Sequence, residues 1–230
     1  MVPWVEIDRA KVPGGDELRL MQRGAEFSIM AGAIALMSSR IKGSEEALAR
    51  LAADRIGARP KASVLIGGLG MGFTLRAAQA ALGKDAKLVV AELVPTVIAW
   101  ARGPLRPVFG DCLDDPRVSV LEGDVSGFMA GRKGAYDAIL LDVDNGPSPL
   151  TRDSNEAIYG MAGLSAARTA LKPGGVLAVW SAEQNPAFTK RLVTSGFAVE
   201  EVKVRANGSG GGARHRIWVA TRPGGASAAA

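Results

Sequence analysis

Four short segments of this chain place glycine or carboxylate directly after an apolar run, and they carry most of its chemical potential. Gly67-Gly68-Leu69-Gly70-Met71-Gly72 follows the run at 63–66. Gly68, Gly70 and Gly72 let the backbone turn tightly and approach a ligand with no Cβ in the way. The helix starting near Phe73 then offers its unpaired amides to polar ligand groups. The spacing is G-x-G-x-G, and Phe73 stands where a dinucleotide-binding loop would need its third glycine. The loop therefore suits a nucleoside with an amino-acid tail better than a pyrophosphate. Glu92 ends the next run, 20 residues after Gly72, where an acidic side chain accepts hydrogen bonds from both ribose hydroxyls. Asp124 follows the third run, in Glu122-Gly123-Asp124-Val125. Its carboxylate can accept from an adenine amine while the Val125 amide serves a ring nitrogen. Asp124 can equally cap a helix beginning at Val125, and the two roles are compatible. The fourth run leads into Asp142-Val143-Asp144-Asn145-Gly146-Pro147, whose two carboxylates can orient or deprotonate a nucleophile. Asp142, straight after the apolar run, is the stronger catalytic candidate. Asp144 joins it, with turn-forming as its alternative role, and Asn145 reads as a turn former.

Other candidates are weaker. Tyr159 and Trp180 suit either an acceptor pocket or the core, while Glu183 and Gln184, just past the fifth run, face the same edge. Ser38 and Ser39, with Glu45 and Glu46, fall beside the expected cofactor cleft, although Ser44, Glu45 and Glu46 are explained by helix capping and the helix dipole, with Ser44 as N-cap. His215, in Arg214-His215-Arg216, reads as structural or surface-exposed. Cys112 lies beside Asp111 and Asp114, with no activating cation in its immediate sequence. With one His and one Cys in 230 residues, a Cys/His zinc site is excluded and no metal is expected. Chemistry must rest on carboxylates, backbone and a bound cofactor.

The elements that must position these residues follow from the hydrophobic pattern. Apolar runs at 63–66, 87–91, 118–121, 138–141 and 176–180 lack polar alternation, as in strands covered on both faces. Amphipathic stretches at 72–82, 95–102, 125–131, 154–171 and 186–195 fit helices between them. This predicts an α/β, doubly wound, mostly parallel sheet with right-handed crossovers. Two last runs, 197–204 and 215–220, are separated by glycine-rich sequence and predict a C-terminal antiparallel hairpin, giving seven strands. Short runs with turn signals at 4–8, 18–21, 26–30 and 33–37 predict a small N-terminal β unit, too small to fold alone. The expected organisation is 1–43 as that unit, 44–222 as the main domain, and 223–230 as a disordered tail.

Composition bounds the partners. A single Cys allows no internal disulfide and suits a reducing cytoplasm. Early acids at Glu6 and Asp8 argue against a signal peptide, and the longest apolar stretch, 27–37, is too short to span a bilayer. The +5 net charge is spread along the chain without aromatic interleaving, which argues against nucleic acid as a partner. A cytoplasmic protein acting on small molecules is expected.

Residues 61–180 resemble the class I S-adenosylmethionine-dependent methyltransferase fold, through Gly68-x-Gly70-x-Gly72, Glu92, Asp124, Asp142 and Leu171-Lys-Pro-Gly-Gly175. Within it the chain is most similar to the spermidine synthase family, through Val64-Leu-Ile-Gly-Gly68, Leu75-Arg76, Asp115-Pro-Arg-Val118, Gly123-Asp124, Tyr136-Asp137 and the Asp142 loop. The resemblance implies a Rossmann-like methyltransferase sheet and a transferase using S-adenosylmethionine or its decarboxylated form. It also implies a small-molecule acceptor and a possible homodimer. Cofactor contacts fall to Gly68, Gly70, Gly72, Glu92, Asp124 and Val125, catalysis to Asp142 and Asp144, and substrate contacts to Tyr159 and Glu183. Two departures matter. Met71 stands where the family places an Asp against the aminopropyl ammonium, and Asn145 where it places the last acid of the catalytic loop. This thinned set of carboxylates leads to methyl transfer, to an amine or hydroxyl nucleophile, as the expected reaction. Aminopropyl transfer to a polyamine is the alternative, and a non-catalytic cofactor-binding module the second.

Overall fold

The computed structural model describes residues 2–13, 17–143, 146–147 and 157–224. A four-stranded antiparallel meander comes first, β1 (Val5–Lys11), β2 (Glu17–Arg23), β3 (Glu26–Ala31) and β4 (Ile34–Ser38), each strand pairing with the next. Helix α1 (Gly43–Ile56) then leads into β5 (Ser63–Gly67), α2 (Phe73–Ala81), β6 (Lys87–Glu92), α3 (Pro95–Arg102), the short α4 (Arg106–Phe109), β7 (Val118–Glu122) and α5 (Val125–Met129). The chain continues through β8 (Tyr136–Leu141), α6 (Met161–Ala170), β9 (Leu171–Ser181), α7 (Pro186–Thr194), β10 (Ala198–Arg205) and β11 (Arg214–Thr221). Strands β5 to β11 form one sheet in the order β10-β11-β9-β8-β5-β6-β7. Only β11 runs against its neighbours, paired antiparallel with both β9 and β10. This is the expected mostly parallel seven-stranded sheet closed by an antiparallel hairpin.

The apolar runs are explained by their burial on both faces. In β5, Val64 and Ile66 join the core on one side, while Leu65 joins the core on the other. All six residues of β8 are buried, as expected for a central parallel strand. The inner residues of the meander, Leu18, Leu20, Phe27 and Ile29, share one core with Leu48 and Ala52 of α1 and with Met71 and Leu75. The N-terminal unit is therefore packed onto the main sheet's core. The Trp100 indole NH of α3 also donates to Asp8 Oδ2, at 2.8 Å.

One expected cap is displaced. Helix α1 begins at Gly43, with Lys42 at its N-cap and no side-chain cap bond, so Ser44 lies inside the first turn. The reason is tertiary. The Gly43 amide donates to Ala206 O at 2.7 Å, and a Cβ on Gly43 would meet Gly208 N at 2.2 Å. Docking against the β10–β11 connection sets where the helix starts, and it releases the Ser44 hydroxyl for another partner.

Candidate active site

The sheet order reverses between β5 and β8: the chain proceeds from β5 outward to β7, then returns to the other side of β5. Open α/β sheets bind ligands at such a switch point, beyond the carboxyl ends of the strands. Here it is bounded by Gly67 on β5 and Asp142 after β8, and the Asp142 amide donates to Gly67 O at 3.0 Å. Gly68 has φ +90°, and a Cβ there would lie 2.4 Å from the Asp142 carbonyl oxygen. Gly72, at the N-cap of α2, has φ +76°, and a Cβ there would collide with the Phe109 ring. The loop is therefore glycine-rich because two backbone segments and a ring crowd it. Its shape is fixed from beneath by Glu92, whose Oε2 accepts from the Leu69 amide and Oε1 from the Val94 amide, each at 2.8 Å. Glu92 is buried, and burial pushes its carboxyl above the ordinary value against these amide bonds. Asp124 lies at the end of β7, and its Oδ1 accepts from the Ser126 amide at 2.8 Å, capping α5. Val125 packs beneath Gly67.

A small cleft, partly open to solvent, lies over the switch point. Among its walls are Glu45 of α1, Leu69 to Met71 of the glycine loop, Asp142 and Trp180. Asp142 Oδ2 accepts from the Thr74 hydroxyl at 2.6 Å. Burial pushes the Asp142 carboxyl up to about 6, against the lowering effect of that hydrogen bond. Glu45 is pushed up to about 7 by burial and by the charge of Asp142, with the Ser44 hydroxyl bond opposing. Two carboxyls in one cleft with raised affinities cannot both ionise easily at neutral pH. The arrangement favours a bound proton or a cation between them.

The remaining sequence candidates are placed differently. Tyr159 is buried in the core on one side of the sheet, edge-on to Phe188 at 5.6 Å, with its hydroxyl 3.4 Å from Val143 O. Glu183 is exposed after β9, its amide donating to Ser181 Oγ at 3.2 Å. Asp144 and Asn145, the start of the helix expected at 154–171 and most of the expected tail lie outside the described residues. Among the described residues no group of His, Cys, Asp and Glu could hold a metal ion. No described helix is long and apolar enough to cross a membrane. The sequence sets Glu45 beside the cleft but explains it by the helix dipole. The structure puts both Ser38 and Glu45 on the cleft wall, and the pairing with Asp142 depends on where α1 docks.

Comparison with known proteins places this geometry. No model of a known protein family matches the chain. In sequence it is 32% identical over 120 residues, 51% of its length, to polyamine aminopropyltransferase of Mycobacterium tuberculosis. It is 36% identical over 93 residues, 40% of its length, to that of Nitrosomonas europaea. The matched segments span 22% and 27% of those two curated relatives. In structure it is similar to spermidine synthase from Thermotoga maritima, with a TM-score of 0.72 and 18% identity, covering 94% of this chain and 72% of that one. It is also similar to a probable spermidine synthase from Corynebacterium glutamicum, with a TM-score of 0.64, 13% identity, and coverage of 98% and 82%. The sheet and its strand-end site thus define a class I S-adenosylmethionine-dependent methyltransferase fold. Within that fold, the chain is similar in structure to these spermidine synthases over nearly its whole length.

The expectation of methyl transfer is corrected by these findings, since the relatives are aminopropyltransferases and the structural neighbours spermidine synthases. The physical ground for that expectation was a shortage of carboxylates, with Met71 replacing one. The cleft is less short of them than the sequence suggests, because α1 brings Glu45 to the same cavity as Met71 and Asp142.

Proposed function

We propose that this protein transfers an aminopropyl group from decarboxylated S-adenosylmethionine to an amine of the polyamine class. The observation that carries the reading is the Glu45–Asp142 pair in the cleft at the switch point, a site suited to holding cationic nitrogen. The glycine loop supports it, because Leu69, Gly70 and Met71 line the cleft while Gly68 lets the backbone pass close to Asp142. In this reading Glu92 receives the ribose hydroxyls, Asp124 and the Val125 amide the adenine, and Glu45 with Asp142 the attacking amine. Asp142 takes the proton from the attacking nitrogen, with Asp144 as a second carboxylate on the same loop and Glu183 at the cleft's outer edge. The nitrogen forms a bond to the propyl carbon while the carbon–sulfur bond breaks and its electron pair returns to sulfur. Most of the acceleration comes from holding nucleophile and electrophile in line.

The reading extends to a cytoplasmic homodimer, supported by the exposed apolar residues Trp4, Val5, Ile7 and Ile34 of the N-terminal unit. The direct test is mass spectrometry of the protein incubated with decarboxylated S-adenosylmethionine and a panel of diamines. Aminopropylated amine with equimolar methylthioadenosine is the expected product. Failure to bind the donor in calorimetry, with no adduct from any amine, rejects the proposal.

A further inference from the structure

A hydrogen-bonded chain leads out of the cleft from the acid pair. Ser44, fully buried, donates to Glu45 Oε2 at 2.7 Å, and on its other side Ser44 Oγ lies 3.0 Å from His215 Nδ1. His215 belongs to β11, at the far end of the sequence from Ser44, and is half-buried. Its ring stands edge-on to Trp180, with centroids 4.8 Å apart, and Trp180 itself lines the cleft. Two elements distant in sequence, α1 and β11, therefore meet at one hydroxyl whose capping role the helix start has removed, with Trp180 of β9 against the His215 ring.

We propose that Ser44 and His215 form the proton outlet of the Glu45–Asp142 pair. The catalytic use of this outlet rests on the aminopropyl-transfer reading, whereas its existence does not. An attacking ammonium must lose one proton before its nitrogen can bond to carbon, and the acid pair receives it. From Glu45 the proton passes to Ser44 Oγ as Ser44 gives its own hydrogen to His215 Nδ1, and the imidazolium then releases the proton on Nε2 to water. Ser44 has a single hydrogen. While it donates to ionised Glu45, Nδ1 carries a hydrogen and donates to Oγ. When Glu45 is protonated, both bonds reverse and Nδ1 accepts. The same two contacts thus serve both charge states.

The surroundings leave His215 able to accept. Burial pushes its imidazole below the ordinary value, so the ring is neutral at physiological pH. Ile217 and Val219 share its side of the sheet by alternation and pack in the core beneath α1 and α2. Opposite it in β10 is Val204. The neighbouring cations Arg214 and Arg216, with Arg205 and Lys203 paired across from them, alternate to the other face. From α1 the groups near the chain are Glu45 and Glu46, and Glu46 is held by Lys42 and Arg50 at 3.4 and 3.3 Å. From α2 the contact to the pair is the Thr74 hydroxyl on Asp142.

His215 is the only histidine in the chain, so its ring nitrogens can be followed by NMR without ambiguity across a pH titration of the full chain. In the wild type the hydrogen on the His215 ring is expected to move from Nδ1 to Nε2 as Glu45 takes its proton near pH 7, and Glu45→Gln is expected to abolish that change. Ser44→Ala, which leaves Glu45 in place but removes the link, is expected to abolish it as well. His215→Asn keeps a hydrogen-bonding group near Nδ1 and cannot titrate. With decarboxylated S-adenosylmethionine and an accepted diamine, it is expected to lower kcat about tenfold or more. The donor KM should be unchanged and the acid limb of the pH profile flattened. A His215 tautomer that does not change near pH 7, or a change that survives Glu45→Gln, overturns the outlet, whatever the protein catalyses. So does a His215→Asn enzyme with wild-type kcat and pH profile. If no aminopropyl transfer occurs but the NMR coupling is present, the functional reading fails and the outlet stands.

Discussion

The two sides of the switch point are built in different ways. On the β5–β7 side, the glycine loop, Glu92 and Asp124 are each positioned by neighbours close in sequence or by the next strand. Glu92 holds the amides of Leu69 and Val94, and Asp124 that of Ser126. On the β8–β9 side, Asp142 bonds Thr74 from α2 and shares the cleft with Glu45 from α1, and Ser44 meets His215 from β11. Local bonds give the first side a geometry that survives small changes elsewhere. The second side exists only when distant elements dock, and its carboxyls carry the displaced proton affinities. This is the division expected when one side binds a recurring ligand and the other does chemistry.

The largest expected effect separates the two functions. Asp142→Asn should lower turnover by about 10²–10⁴-fold, the usual range for a positioned general base, while donor binding in calorimetry stays near wild type. Equal losses in both would mean that the two sides are not separable. Gly68→Ala should instead damage both at once, because its Cβ would meet the Asp142 carbonyl and its φ is +90°. A loss of about 1–3 kcal/mol in denaturant unfolding is expected from the backbone strain alone, with donor affinity reduced as well.

The acid pair predicts the pH dependence of stability. Asp142 rises from 3.8 to about 6 on folding and Glu45 from 4.5 to about 7, so the folded state binds more protons than the unfolded chain in that interval. Stability from these groups is present below about pH 4 and is lost as pH rises towards 7. Asp142→Asn should remove much of that slope and leave the protein more stable than wild type at pH 8, read from thermal unfolding. A wild-type curve that rises through this window, unchanged by Asp142→Asn, would contradict the pairing. The smallest effect belongs to the local side. Asp124→Ala should cost about 1 kcal/mol through loss of the α5 cap, with turnover at saturating donor little changed.

Legibility in the sequence followed the same division. The strands beneath the site were visible because continuous apolar runs have one physical explanation, burial on both faces, and the cores on either side of β5 show it. The loop glycines and the Asp124 cap were legible because turn geometry and capping act over a few residues. Ser44 was read as an N-cap because its local sequence fits one. Gly43 pinned against the β10–β11 connection moved the helix start by contacts that a local window does not contain. Tyr159 suited either an acceptor pocket or the core by residue type, and only packing put its ring in the core, edge-on to Phe188.

By itself the sequence determined the order of elements, the parallel sheet with its closing hairpin, and the acid or glycine at each strand end. Those features depend on hydrophobic period and turn chemistry, which are properties of neighbouring residues. Tertiary structure alone decided that Glu45 faces Asp142 and that Ser44 joins His215. Such pairs depend on how a helix sits on a sheet, and docking is set by packing summed over the whole core.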